Sequence, residues 1–188
     1  MKKMLQKLHN FKRDQGGLAY LEFAVTLPFL LVLFMGSVEV TRFIIAAQKV
    51  EKSASTISDV VAQSETISVA QLDQLIAAVG EVMQPFEFGT DGYVIITSVS
   101  KNEGSPALVN WQYKGGGSWT QSSQVGGPGS TANLPNGLTL NNKDTVIVAE
   151  VYFNYSPMMA NNGVIEISPL YKVGVFKPRL GDLQTLDS

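Results

Sequence analysis

The sequence contains no cysteine, so disulfides, thiolate metal sites and cysteine nucleophiles are all excluded. It has one histidine, His9, inside a short basic tail. A Ser-His-Asp triad or a multi-histidine metal centre therefore cannot be built from the rest of the chain. Charge is scarce as well: 16% of residues are charged, against about a quarter in soluble domains. What charge there is lies unevenly. Residues 39–188 hold 9 basic and 14 acidic side chains with no basic cluster, which argues against nucleic-acid binding. Glu81, Glu87, Asp91 and Glu103 stand at no spacing that suggests an acid–base pair. They are expected on solvated faces and turns, and neither a catalytic activity nor a cofactor is expected.

The apolar excess is concentrated in residues 18–38, a run of 21 residues broken by a single charge, Glu22. At about 1.5 Å per residue, a helix of this length spans roughly the hydrocarbon thickness of a bilayer. Before it, Lys2, Lys3, Lys7, Lys12 and Arg13 outweigh Asp14. By the positive-inside rule this leader, residues 1–17, stays in the cytoplasm, and the chain beyond the span lies on the other side of the inner membrane, in contact with its lipid. A secretory signal peptide is the nearest competitor. Its apolar region is typically shorter, about 7–15 residues, and ends in a small-x-small cleavage site that is not found here.

The boundary of the apolar run is distinctive. Arg13-Asp14-Gln15-Gly16-Gly17 is followed by Leu18-Ala19-Tyr20-Leu21-Glu22-Phe23. A protease acting on an extended chain favours a small, flexible residue at the cut, and Gly17 supplies one. A carboxylate inside a membrane segment is costly and usually functional. Glu22 has two readings, a buried charge that meets a cationic partner or a side chain that snorkels to the nearby interface. Pro28 removes a backbone hydrogen bond and is expected to kink or loosen the helix; proline is also tolerated in membrane helices without a special role.

Gly17 with Glu22 resembles the glycine-x-x-x-x-glutamate cleavage motif of type IV prepilins. The stretch 17–42, with Glu22-Phe23-Ala24, Leu27-Pro28, Gly36, Glu39 and Arg42, resembles the N-terminus of TadE-like proteins of the Tad pilus system. The resemblance implies cleavage between Gly17 and Leu18 by an aspartic prepilin peptidase on the cytoplasmic side. It also implies that Glu22 pairs with the free N-terminal amine of a neighbouring pilin or pseudopilin subunit, next to Phe23. The short chain fits a TadE- or TadF-like member, since TadG-like proteins carry a much larger extra domain.

Beyond residue 38 the pattern remains helical. Val40, Phe43, Ala47, Val50, Ala54, Ile57 and Val61 repeat at spacings of three and four, an a/d stripe on an amphipathic stalk over residues 39–65. The stripe can pack on the chain's own sheet or on a partner helix. Glu39 and Arg42 are spaced as an i,i+3 ion pair. Ser68 and Gln71 form a capping box for a second helix, whose apolar face is Val69, Leu72, Leu75, Ile76, Val79 and Met83 and which Pro85 ends. Strands are expected at 93–100, 109–114, 144–155 and 170–176, with a short edge strand at 164–168. Glu150 interrupts the strongest of these and is expected to point to solvent. Residues 115–136, rich in glycine, serine and asparagine, read as a long surface loop, with Trp119 either a packing anchor or an exposed contact. The region after Tyr155-Ser156-Pro157, closing on Lys177-Pro178-Arg179, loosely resembles the C-terminal half of TadE-like domains.

The expected fold class is α+β: a long N-terminal membrane and stalk helix and a second helix against an antiparallel sheet of three to five strands, in a periplasmic or extracellular domain over 66–188. Pilins share this general plan. The expected function is that of a minor pilin or pseudopilin in Tad pilus initiation, capping or anchoring. The alternative is an unprocessed single-pass envelope protein that serves as a binding or scaffold module.

Overall fold

The structure, a computed structural model, describes residues 16–158 and 169–187. The basic tail 1–15 and the edge strand expected at 164–168 lie outside the described residues. The first element is a helix of 47 residues, α1 (Gly16–Ala62), which continues through Pro28. The chain divides into two compact units between Arg42 and Phe43. The first carries the apolar half of α1. The second contains the remaining turns of α1 and all other elements.

In the second unit, α2 (Val69–Met83) begins at the capping box foreseen from the sequence: the Ser68 hydroxyl accepts from the Gln71 amide, and the Gln71 side chain accepts from the Ser68 backbone. Two orphan donors of the first turn are thereby satisfied. A short turn of helix, α3 (Phe88–Asp91), leads into β1 (Gly92–Lys101). Then follow β2 (Ala107–Gly116), β3 (Thr145–Phe153) and β4 (Leu170–Phe176). The four strands form one antiparallel sheet in the order β2-β1-β3-β4, with a bulge between Ser98 and Val99. The fold class is α+β, with one helix long and apolar enough to cross a membrane among the described residues.

The sheet is buried on both faces, because successive side chains of a strand alternate between them. On one face Val94, Ile96, Ile147, Ala149, Val151 and Phe153 meet the helices. Val50, Ala54, Ile57 and Val61 of α1 and Leu72, Ile76, Val79 and Met83 of α2 complete this core. On the other face Val99, Val109, Val146 and Val148 are covered by Val125, Leu134 and Leu140 from the long β2–β3 connection. That connection supplies a roof as well as a surface loop.

Strand β4 lies close against α1. A Cβ on Gly174 would stand 2.4 Å from both the Ala54 carbonyl oxygen and the Ser58 hydroxyl, so only glycine allows the approach. Lys172 of β4 pairs with Glu51 of α1 at 3.0 Å, and Arg179 with Asp59 at 3.2 Å. The Arg179 amide also donates to the Ala62 carbonyl, occupying an acceptor at the open end of the helix. The C-terminal segment is tied down at Leu183, whose carbonyl accepts from the Trp111 indole and the Ser98 hydroxyl.

Candidate functional site

Gly17 lies in the first turn of α1, and a Cβ there would meet nothing within 4 Å. Leu18, Tyr20, Leu21, Phe23, Val25 and the apolar residues from Phe29 to Met35 are exposed. A surface of this kind is a liability in water and the expected one in a bilayer. The hydroxyls of this segment are satisfied within the helix: Thr26 donates to the Glu22 carbonyl at 2.7 Å, Ser37 to Phe34 at 2.7 Å and Thr41 to Ser37 at 2.8 Å. Back-bonding of this sort lets a polar side chain live in hydrocarbon. The Glu22 carboxyl is exposed on the same apolar surface, and among the described residues it has no hydrogen-bond or ion-pair partner. Pro28 lacks the amide hydrogen that would otherwise donate to the Ala24 carbonyl one turn earlier.

A carboxylate with no partner among the described residues thus sits on an exposed apolar helix, one turn past Gly17. Residues 17–58 match the family model for TadE-like proteins. The TadE-like segment includes Gly17, Leu18, Glu22, Phe23 and Pro28, and the stripe from Val40 to Ile57. It covers less than a quarter of the chain, and it points to the minor pilins associated with Tad pili. No curated protein and no solved structure matches the chain.

The remaining stripe residues divide by position. Val40 is exposed in the first unit. Phe43 is half-buried, its ring 5.4 Å from that of Tyr155 in an edge-to-face contact. Ala47 is half-buried beside the fully buried Ala46. Val50, Ala54, Ile57 and Val61 are buried in the chain's own core. Of the two packings left open by the sequence, these four residues adopt the intramolecular one.

A second polar centre lies in the second unit, and sequence reasoning missed it. Glu150 does not point to solvent: it is fully buried. It occupies the sheet face covered by the β2–β3 connection, on the central strand β3, opposite Ile95 of β1 and Val173 of β4. Four donors converge on its carboxylate. The Ser123 hydroxyl donates to one oxygen; the Gln124 amide at 2.8 Å and the Tyr152 and Tyr171 hydroxyls, each at 3.1 Å, donate to the other. A carboxylate only accepts, so a ring of donors suits it. Burial, and after it the neighbouring Glu150 charge, raises the pKa of both tyrosines far above the ordinary phenol value of 10.0. They remain donors throughout the neutral range.

The cluster ties the connection to the sheet rather than offering chemistry. Ser123 and Gln124 belong to the connection; Tyr152 and Tyr171 belong to adjacent strands, their ring centroids 4.8 Å apart. The missed signal was the pattern of residues 145–153, which is apolar at nearly every position. Such a strand is buried on both faces, and its one carboxylate then has no route to water.

Proposed function

We propose that this chain is a minor pilin or pseudopilin of a Tad-type pilus, whose membrane helix is made available for assembly by cleavage after Gly17. The carrying observation is Glu22, without a partner among the described residues, on an exposed apolar helix whose first described turn holds Gly16 and Gly17. Cleavage by a prepilin peptidase would create an amine at Leu18, one helical turn before Glu22. An unpaired carboxylate in hydrocarbon costs several kcal/mol, and an ammonium group from a neighbouring subunit offsets much of that. The role is structural and non-catalytic. The helix spans the inner membrane with its basic end in the cytoplasm and the α+β unit outside. Its partners are other Tad pilus components, the peptidase and membrane lipid.

The helical state of Gly17 favours the alternative of an unprocessed anchor, because a protease must unwind that turn before cutting. The resistance is small. Glycine costs about 1 kcal/mol relative to alanine inside a helix, and Gly16 and Gly17 stand side by side in it. Intact mass of the membrane-extracted chain decides between the two. The pilin reading expects loss of residues 1–17 in cells that contain prepilin peptidase and retention in cells without it. Gly17→Val should block processing; Glu22→Ala should be processed yet fail to support piliation. A full-length chain in both backgrounds would overturn the proposal, and normal piliation by Glu22→Ala would remove the pairing role.

A further inference from the structure

The outer unit contains a cavity of about 350 Å³ between the β2–β3 connection and strand β4. This is toward the small end of the range for small-molecule sites, about 300–1,000 Å³. Its polar lining is supplied by the carboxamides of Gln124, Asn133 and Asn136, all exposed. Its apolar lining includes Leu134, Tyr171 and Val173. Among the described residues, no acidic or basic side chain lines it. A charged ligand would therefore find no counter-charge among these residues. A purely apolar ligand would bury the Gln124 and Asn136 carboxamides without partners; that of Asn133 already donates to the Gln124 carbonyl at 3.3 Å. A ligand with hydroxyls on its rim and C–H groups on its faces meets both requirements. Each carboxamide can donate to one hydroxyl and accept from the next, while the ring and aliphatic groups take the C–H face.

The walls are fixed before any ligand arrives. The Tyr171 hydroxyl donates to Glu150 at 3.1 Å, and the Gln124 amide donates to the same carboxylate at 2.8 Å. The Asn133 amide donates to the Val125 carbonyl at 2.8 Å, and Val125 and Leu134 are buried in the roof over the sheet. Asn136 has φ 56° and is followed by Gly137 at φ 69°. Asparagine tolerates this left-handed region better than other residues that carry a Cβ, so the turn presents an amide at little strain. A pre-formed, uncharged pocket with three amides and a fixed aromatic wall spares a weak ligand the cost of ordering the site.

We infer that this cavity is a binding site for a neutral saccharide unit, with Gln124, Asn133 and Asn136 holding its hydroxyls and Glu150 positioning the wall from behind. The inference stands apart from the pilin reading, since it concerns the outer unit alone and requires neither processing nor assembly.

The test uses the full chain in detergent micelles. The probes are glucose, galactose, N-acetylglucosamine and their disaccharides, followed by saturation-transfer NMR, with glucose 6-phosphate and inorganic phosphate as charged controls. The expected result is saturable binding of at least one neutral sugar, weaker or absent for the charged controls. Gln124→Ala and Asn136→Asp should each weaken that binding about tenfold, in line with the loss of one hydrogen bond. Both side chains are exposed, so thermal unfolding should be unchanged. Asn133→Asp is the second check, because it keeps the shape and removes the donor. Three results would overturn the inference: no saturable binding of any neutral sugar, preference for the phosphorylated probes, or undiminished binding by all three variants.

Discussion

Glu22 and Glu150 carry the same side chain in opposite settings. Glu22 stands exposed on an apolar helix, and no described residue of the chain offers it a partner. Glu150 is fully buried, and the chain itself brings four donors to it. The outer unit thus satisfies its carboxylate internally and does not need another molecule for it. The apolar segment of α1 leaves its carboxylate without a partner among the described residues; in the proposed reading, a cation on another subunit supplies one.

Glu150→Ala tests the first half of this comparison and carries the largest expected effect. It leaves the Ser123 and Tyr171 hydroxyls and the Gln124 amide without their acceptor, while the Tyr152 hydroxyl keeps the Ser122 carbonyl at 3.0 Å. Loss of about 3 kcal/mol or more is expected, read as a drop in the denaturant midpoint of the outer unit. A change under about 0.5 kcal/mol would show that the cluster is not structural. Glu22→Ala should leave the same midpoint unchanged, since no contact of the outer unit depends on it.

Gly174→Val comes next. The new side chain would meet the Ala54 carbonyl and Ser58 on α1. Overpacking of this kind costs about 1–3 kcal/mol. Gly36→Val on the membrane segment should cost the outer unit nothing, because a Cβ there meets no atom within 4 Å.

A smaller effect is expected in alkali. Tyr152 and Tyr171 hold their protons more tightly when folded than at the ordinary value of 10.0. Their contribution is therefore fully present below pH 10 and is lost as pH rises above it, because the unfolded chain then binds fewer protons. Thermal unfolding against pH should fall away above about pH 10, and Tyr171→Phe should flatten that fall. The smallest effect is expected in acid at Asp144. The Lys177 ammonium beside it holds the carboxyl below its ordinary range. Its contribution is present above the ordinary carboxylate pKa and is lost as pH falls through the lowered one. Asp144→Asn should leave a slightly shallower acid limb: its small loss of stability is present at neutral pH and vanishes as pH falls through the lowered pKa.

Much of the fold was legible from local pattern. Ser68 and Gln71 mark the start of α2, because a capping box acts over four residues. The strands around Ile96, Trp111, Val148 and Val173 announced themselves by β-branched and aromatic residues. Their ends shifted by one or two residues: β2 runs on to Gly116, into the stretch read as loop, and β3 closes at Phe153. The second roof of the sheet was not legible. Its apolar anchors Val125, Leu134 and Leu140 are scattered through a polar segment and follow no helical or strand period. Helices on one face left the other to be read as wet, and Glu150 was placed in solvent for that reason.

The sequence by itself determined the apolar segment. Residues 18–38 are apolar whatever the rest of the chain does, and the order Gly17 to Glu22 is covalent; neither property needs tertiary contacts to exist. Only the tertiary structure decided the fate of Glu150, the burial of the stripe from Val50 to Val61, and the cavity beside Tyr171. Each depends on residues far apart in sequence meeting across strand or loop. Such meetings are set by which surfaces the chain can cover at once, and no local period records that.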